Sequence, residues 1–167
     1  MVKFTLTHTI NTDVDNFWKT FFDKTFNEAL YLKELGFPTF KVIEQVETDK
    51  EVRRKVAGQP KMDVPGPVAK VLGSNFGYTE EGAMTLPERL WRWKMTPSTM
   101  ADKMTMGGTV RCERVTDTTS RRIADLQIEA KIFGIGGLIE STSEKQMRDG
   151  WDKSAVFMNK WLAGGGR

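Results

Sequence analysis

The 167-residue chain contains one cysteine, Cys112, one histidine, His8, and two tyrosines. A single cysteine excludes an intramolecular disulfide framework. Cys112 and His8 cannot supply a His/Cys zinc cluster, so no metal and no cofactor is expected, and any metal would need carboxylates. Most base-assisted nucleophile schemes draw on a histidine, and this chain offers one. No apolar run reaches the ~20 residues of a membrane span, which leaves at most a transient membrane contact. Residues 1–8 alternate apolar and polar without an apolar h-region, so they do not read as a secretory signal. The expectation is a soluble protein of a reducing compartment, the cytoplasm. Charge of one sign is also missing: 25 Lys and Arg stand against 22 Asp and Glu, a net +3. That balance excludes nucleic acid as the expected partner.

Against these absences stand 10 Phe, 9 Met and 5 Trp, enough large apolar side chains for a substantial core. The length suits one domain, read here as residues 1–163, with 164–167 as a frayed tail. Phe4, Leu6, His8 and Ile10 alternate with threonines, which predicts a half-buried strand. Asn11-Thr12-Asp13 then read as turn and cap, with Asp13 and Asp15 as cap and first-turn acids. Phe17, Trp18, Phe21, Phe22, Phe26 and Leu30 recur at helical spacing, as one helix or two short ones ending near Gly36-Phe37-Pro38.

From Phe40 the period returns to two. Phe40, Val42, Glu44 and Val46 share one face, and Val52, Arg54, Val56 and Gly58 share another across a turn at Asp49. This predicts a hairpin. A short helix is expected within 61–73, then strands near 76–84, 88–96, 104–115 and 121–133. Trp91, Trp93 and Met95 share one face of their strand, and Ala124, Leu126, Ile128 and Ala130 one face of theirs. After Gly134-Ile-Gly136-Gly137 the period becomes 3.6 as far as Leu162, a helix of ~25 residues. The glycine loop fails the dinucleotide pattern, because Ile139 stands where a third Gly is needed. The order predicts an α+β fold: a meandering antiparallel sheet of six or seven strands with helices on one face.

That order resembles the START-like, or helix-grip, superfamily, which includes polyketide cyclases and lipid-transfer domains. A closer resemblance is to an uncharacterised bacterial branch of it, a family known only as a domain of unknown function. The matching features are Arg54…Pro65…Val68-Ala-Lys…Leu72-Gly73, the Tyr78-x-Glu80 strand, Gly136-Gly137-Leu-Ile-Glu140 and Trp161-Leu162. The resemblance implies a curved sheet wrapped around a long C-terminal helix, with an apolar ligand between them.

Under that reading Trp91, Trp93, Met95, Met104 and Met106 line a cavity from the sheet; otherwise they are ordinary core. Gln146, Met147 and Gly150 face them from the middle of the last helix, where Ser143, Gln146 and Gly150 interrupt its apolar stripe. Pairing Val46 with Val52 and Val42 with Val56 sets Glu44 opposite Arg54 on the inward face. In a dry interior the two pair; in a wet one Arg54 meets a ligand carboxylate or phosphate; on an edge strand both are solvated. His8 reads as a hydrogen-bonded core histidine or a catalytic base, and Asp23 shows no partner. Three functions follow: a carrier or sensor of a hydrophobic or amphipathic small molecule, such as a lipid; a cyclase- or aromatase-type enzyme; or a chaperone-activator-like interaction module with a filled core. The enzyme would draw its acid–base groups from His8, Glu44, Arg54, Tyr78 and Glu80.

Overall fold

The structure, a computed structural model, describes residues 1–164. Strand β1 (Val2–Ile10) leads into α1 (Val14–Phe21), α2 (Lys24–Glu28) and a π-helical turn (Ala29–Glu34). Strands β2 (Thr39–Glu47) and β3 (Glu51–Gln59), helix α3 (Gly66–Leu72) and strands β4 (Tyr78–Thr85), β5 (Trp91–Pro97), β6 (Met104–Arg114) and β7 (Ser120–Ala130) follow. Helix α4 (Gly136–Ala163) closes the chain. Gly164 caps it through bonds to the carbonyls of Lys160 and Leu162, and the rest of the expected tail, 165–167, lies outside the described residues.

Local chemistry accounts for the helix ends. The Asp13 carboxylate accepts from the Asn16 amide at 2.9 Å and starts α1. Asp23, without an evident partner in the sequence, does the same for α2 through the Phe26 amide at 2.7 Å. Before α4, Gly134 takes φ +76°, and a side chain at Gly136 would run into the Ala130 carbonyl. The glycine cluster is therefore a tight strand-to-helix turn.

The seven strands form one curved antiparallel sheet in the order β1-β7-β6-β5-β4-β3-β2. Its register sorts the concave face into rows. Val42, Val56, Glu80, Met95, Met106, Ile128 and Val2 pair in succession across all seven strands. Glu80 is the only polar side chain in that row. The next row runs Gln45, Arg54, Gly82, Trp93, Gly108, Leu126 and Phe4. A third sets Trp91 opposite Val110, Val110 opposite Ala124 and Ala124 opposite Leu6.

The expected hairpin register holds only for its first half. Val42 pairs with Val56, but a bulge at Ile43 shifts the rest, so Glu44 lies opposite Lys55 and Gln45 opposite Arg54. The extra residue turns β2 over by one position. Glu44 and Val46 consequently point outward and are exposed, and Gln45 turns in.

Helix α4 lies over β1 and β7. At its start, the Glu140 carboxylate accepts from the Met1 amine at 3.0 Å and the Ala130 amide at 2.8 Å. Near its end, the Asn159 side chain bonds the Thr9 carbonyl on β1 and the Asn11 amide just past it. Phe26 of α2 packs on Phe157 and Trp161 with ring centroids 5.6 Å away in each case. Residues 60–65 and α3 form a strap tied to α4 and to the β5–β6 loop. Gln146 of α4 donates to the Asp63 carbonyl at 3.1 Å, and Thr99 donates to the Leu72 carbonyl at 3.1 Å.

Gly82 carries a test of this packing. A methyl there would strike the Trp91 indole, which lies across β4 and is 1% exposed. Gly82→Ala is expected to destabilise by about 1–3 kcal/mol, the usual cost of overpacking. Measured by urea unfolding, it should be partly rescued by Trp91→Leu. A neutral Gly82→Ala contradicts the packing.

Candidate functional site

Two arginines lie buried on the concave side. Arg54 is 8% exposed and Arg122 2% exposed. A guanidinium away from water needs its charge offset, ordinarily by a carboxylate. Arg54 is offset differently. Its Nη1 donates to the Phe21 carbonyl at 2.9 Å, one of the free carbonyls at the C-terminal, negative end of α1. Its guanidinium carbon sits 5.0 Å from the Phe21 ring centre and 5.4 Å from those of Phe22 and Trp91, within cation–π range. Its strand neighbour Gln45 donates to the Phe22 carbonyl at 2.8 Å. Arg54 is therefore buried, as the inward reading required, but Glu44 is not its partner. The bulge places that carboxylate on the outer face near Lys55.

Arg122 has the same parity as Ala124 and Leu126. Extending that alternation back two residues marks it as inward-facing, a signal the sequence reading passed over. Its guanidinium donates to Ser154 Oγ at 3.0 Å, the Trp151 carbonyl at 2.8 Å and His8 Nδ1 at 3.1 Å. It also lies 4.7 Å from the Trp151 ring centre. Burial pulls its pKa down to about 10, high enough to keep the charge at neutrality. His8 Nε2 reaches the Asp152 carboxylate at 2.7 Å. Arginine only donates, so His8 Nδ1 accepts, and the proton sits on Nε2, facing Asp152. The chain Arg122–His8–Asp152 thus ties β7, β1 and α4 together. Burial, first, and Arg122 push the His8 pKa below the ordinary value, although Asp152 pulls the other way.

The other expected ligand-binding residues separate into three groups. Trp91, Trp93, Met104 and Met106 are buried in the core. Trp91 is covered by Phe22 and Phe21, at ring distances of 5.2 and 6.1 Å, and the buried Trp93 Nε1 has no acceptor. Met95 and Met147 pack against the core but stay partly accessible. Gln146 is exposed and holds the strap. Gly150 lies on the inward stripe of α4, yet nothing stands within 4 Å of where its Cβ would be.

The acid–base groups divide as well. His8 and Arg54 are used in bonding the framework, and Glu44 is outside. Tyr78 and Glu80 remain on the concave face, joined by Tyr31. The π-helical turn carries Tyr31, stacked on Phe40 at 4.1 Å. Burial raises the Glu80 pKa, Arg54 opposing. Burial and the Glu80 charge together push Tyr31 and Tyr78 above the ordinary phenol value. No hydrogen bond contributes to any of the three.

A separate hollow of about 340 Å³ opens among Thr39, Gln59, Asn75, Tyr78, Thr79, Thr96 and Ser98. None of the ten expected ligand-binding residues borders it. Among the described residues, no group of three His, Cys, Asp or Glu side chains is placed to hold a metal, and no helix is long and apolar enough to cross a membrane.

A sheet of seven antiparallel strands gripping a long C-terminal helix defines the helix-grip fold. The chain belongs to the family described as "Protein of unknown function (DUF2505)", whose model matches residues 5–162. Its fold is similar to that of the Zhui aromatase/cyclase from Streptomyces sp. R1128, at TM-score 0.66 and 12% identity over 99% of each chain. It is also similar to a norcoclaurine synthase from Thalictrum flavum, at TM-score 0.64 and 12% identity over 98% of this chain and 88% of the other. A START superfamily protein from Mycobacterium smegmatis aligns at TM-score 0.60 and 10% identity, over 96% and 98%. At these identities the likeness is one of fold. No curated protein matches the sequence.

Two outcomes test the buried arginines. Arg54→Met should cost about 1.5–3 kcal/mol, the range for a hydrogen bond to a charged group. Glu44→Gln should stay within about 0.5 kcal/mol, as for a plain surface site. Equal losses on urea unfolding would restore the Glu44–Arg54 pair. For His8, a depressed folded-state pKa gives stability that is complete above the unfolded value of 6.5 and is lost as pH falls through the folded value. Relative to His8→Gln, the wild type should lose stability from pH 7 to pH 5. A pH-independent difference contradicts the assignment.

Proposed function

We propose that this chain is a cytoplasmic carrier or sensor that binds a hydrophobic or amphipathic small molecule, lipid-like in size, between the concave sheet and α4. The observation that carries the reading is Gly150. Glycine within a helix costs about 1 kcal/mol relative to alanine, and this one, on the stripe of α4 that carries Ile139 and Ser154, has nothing within 4 Å of where its Cβ would be. Ile139, Ser154 and Met158 on the same side are buried. Met147, Met95 and Trp151 are each partly accessible, and Met106 is the cross-strand partner of Met95. Methionine and tryptophan suit an irregular apolar guest. The START-like fold, shared with an aromatase/cyclase, supports small-molecule binding by analogy.

An apolar fluorescent dye tests this. The wild type should bind it with quenching of tryptophan emission. Gly150→Leu, which places four carbons in the gap, should fold with an unchanged or higher Tm and bind the dye at least roughly tenfold more weakly, about 1.4 kcal/mol. Wild type that binds no dye would instead support the filled-core interaction module. A folded Gly150→Leu that binds normally puts the site elsewhere.

A further inference from the structure

Resting on that reading, we infer that the guest carries a neutral, hydrogen-bonding head group, a hydroxyl on an apolar body, and that Glu80 is the group that receives it. The polar side chains of the concave face can be followed one by one. Arg54 is engaged with the end of α1 and three rings and Arg122 with α4 and His8, although the buried Nε of each has no acceptor; Gln45 donates to the Phe22 carbonyl, its buried Oε1 unpartnered; Ser154 donates back to the Trp151 carbonyl at 2.7 Å. Glu80 has no such engagement. It is the one polar member of the row that crosses all seven strands, between Val56 on β3 and Met95 on β5. It is partly accessible and makes no hydrogen bond among the described residues. On the diagonals stand Arg54 and, across β5, Trp93, whose buried Nε1–H is also without an acceptor. Tyr31 of the π-helical turn is near enough to feel the charge of this carboxylate, and Tyr78 lies two residues along β4.

This arrangement discriminates by charge. A ligand carboxylate would meet Glu80 at short range in a poorly hydrated space, and like charges so placed cost several kcal/mol. Arg54, on the diagonal and drawn toward the α1 carbonyl and the rings, offsets that repulsion only in part. A ligand ammonium would satisfy Glu80 but enter the field of Arg54, the one cation that acts on this carboxylate. A hydroxyl adds no charge. It donates to Glu80 and can accept from the indole N–H of Trp93 or a tyrosine hydroxyl. The apolar body then lies along Met95, Met106 and Met147, where no charged group interrupts the row.

The test compares three guests with one chain length, decan-1-ol, decanoate and decylammonium, each displacing the apolar dye at pH 8. Decan-1-ol should displace it at a concentration at least roughly tenfold below either ion. In Glu80→Gln, close to isosteric and checked by Tm, decanoate should gain at least roughly tenfold while decan-1-ol changes by less than about threefold. Dye binding with decanoate or decylammonium equal to or tighter than decan-1-ol overturns the head-group assignment and leaves the cavity intact. So does selectivity that Glu80→Gln does not alter. A wild type that binds neither dye nor any of the three defeats the cavity reading, and this inference with it.

Discussion

Burying a guanidinium without a carboxylate is the constraint around which this molecule is arranged. An isolated charge in a dry interior costs several kcal/mol even after relaxation, so two of them on one sheet face require compensation from elsewhere. Arg54 takes it from the carbonyl end of α1 and three aromatic faces; Arg122 takes it from a carbonyl of α4, the Ser154 hydroxyl and a histidine backed by Asp152. In each case the compensating group belongs to a helix, so satisfying the charge docks that helix. The N-terminal helices are held over β3 and β5, and α4 over β1 and β7. The aromatic content has the same origin: Phe21, Phe22 and Trp91 cover Arg54, and Trp151 covers Arg122.

The consequence for function lies between the two anchor points. With α1 fixed at one side and α4 at the other, the row through Val56, Glu80, Met95 and Met106 occupies the middle of the concave face. The sheet supplies apolar bulk there and one unengaged carboxylate, and α4 supplies a glycine. A framework whose cations are already committed leaves Glu80 to set the chemistry of what enters.

The architecture was largely legible in the sequence because it rests on periodicity. The alternation of Trp91, Trp93 and Met95, and of Ala124 to Ala130, fixed the inward faces, and the 3.6-residue period after Gly137 fixed α4. What was not legible was a single inserted residue. The bulge at Ile43 has no glycine or proline to mark it, yet it exchanges Glu44 for Gln45 on the inner face and removes the expected ion pair. Arg122 was legible by parity, two residues before Ala124 on the inward face. His8 had two readings, a hydrogen-bonded core histidine or a catalytic base, and the partners that bond it, 114 and 144 positions away, could not be read from local pattern. Gln146, expected to face the ligand, holds the strap instead. Its carbonyl partner at Asp63 carries no sequence signature.

Nine methionines are spread through the molecule and report on where a guest resides. Methyl-labelled methionine NMR during a titration with decan-1-ol is the most direct measurement of the central claim. The Met95, Met106 and Met147 methyls should shift together and saturate, while Met1 at the surface, Met84 beyond Gly82 and Met158 near the end of α4 stay in place. Saturable shifts at Met1 or Met100 with the three central methyls unmoved would place the guest outside the sheet and contradict the account.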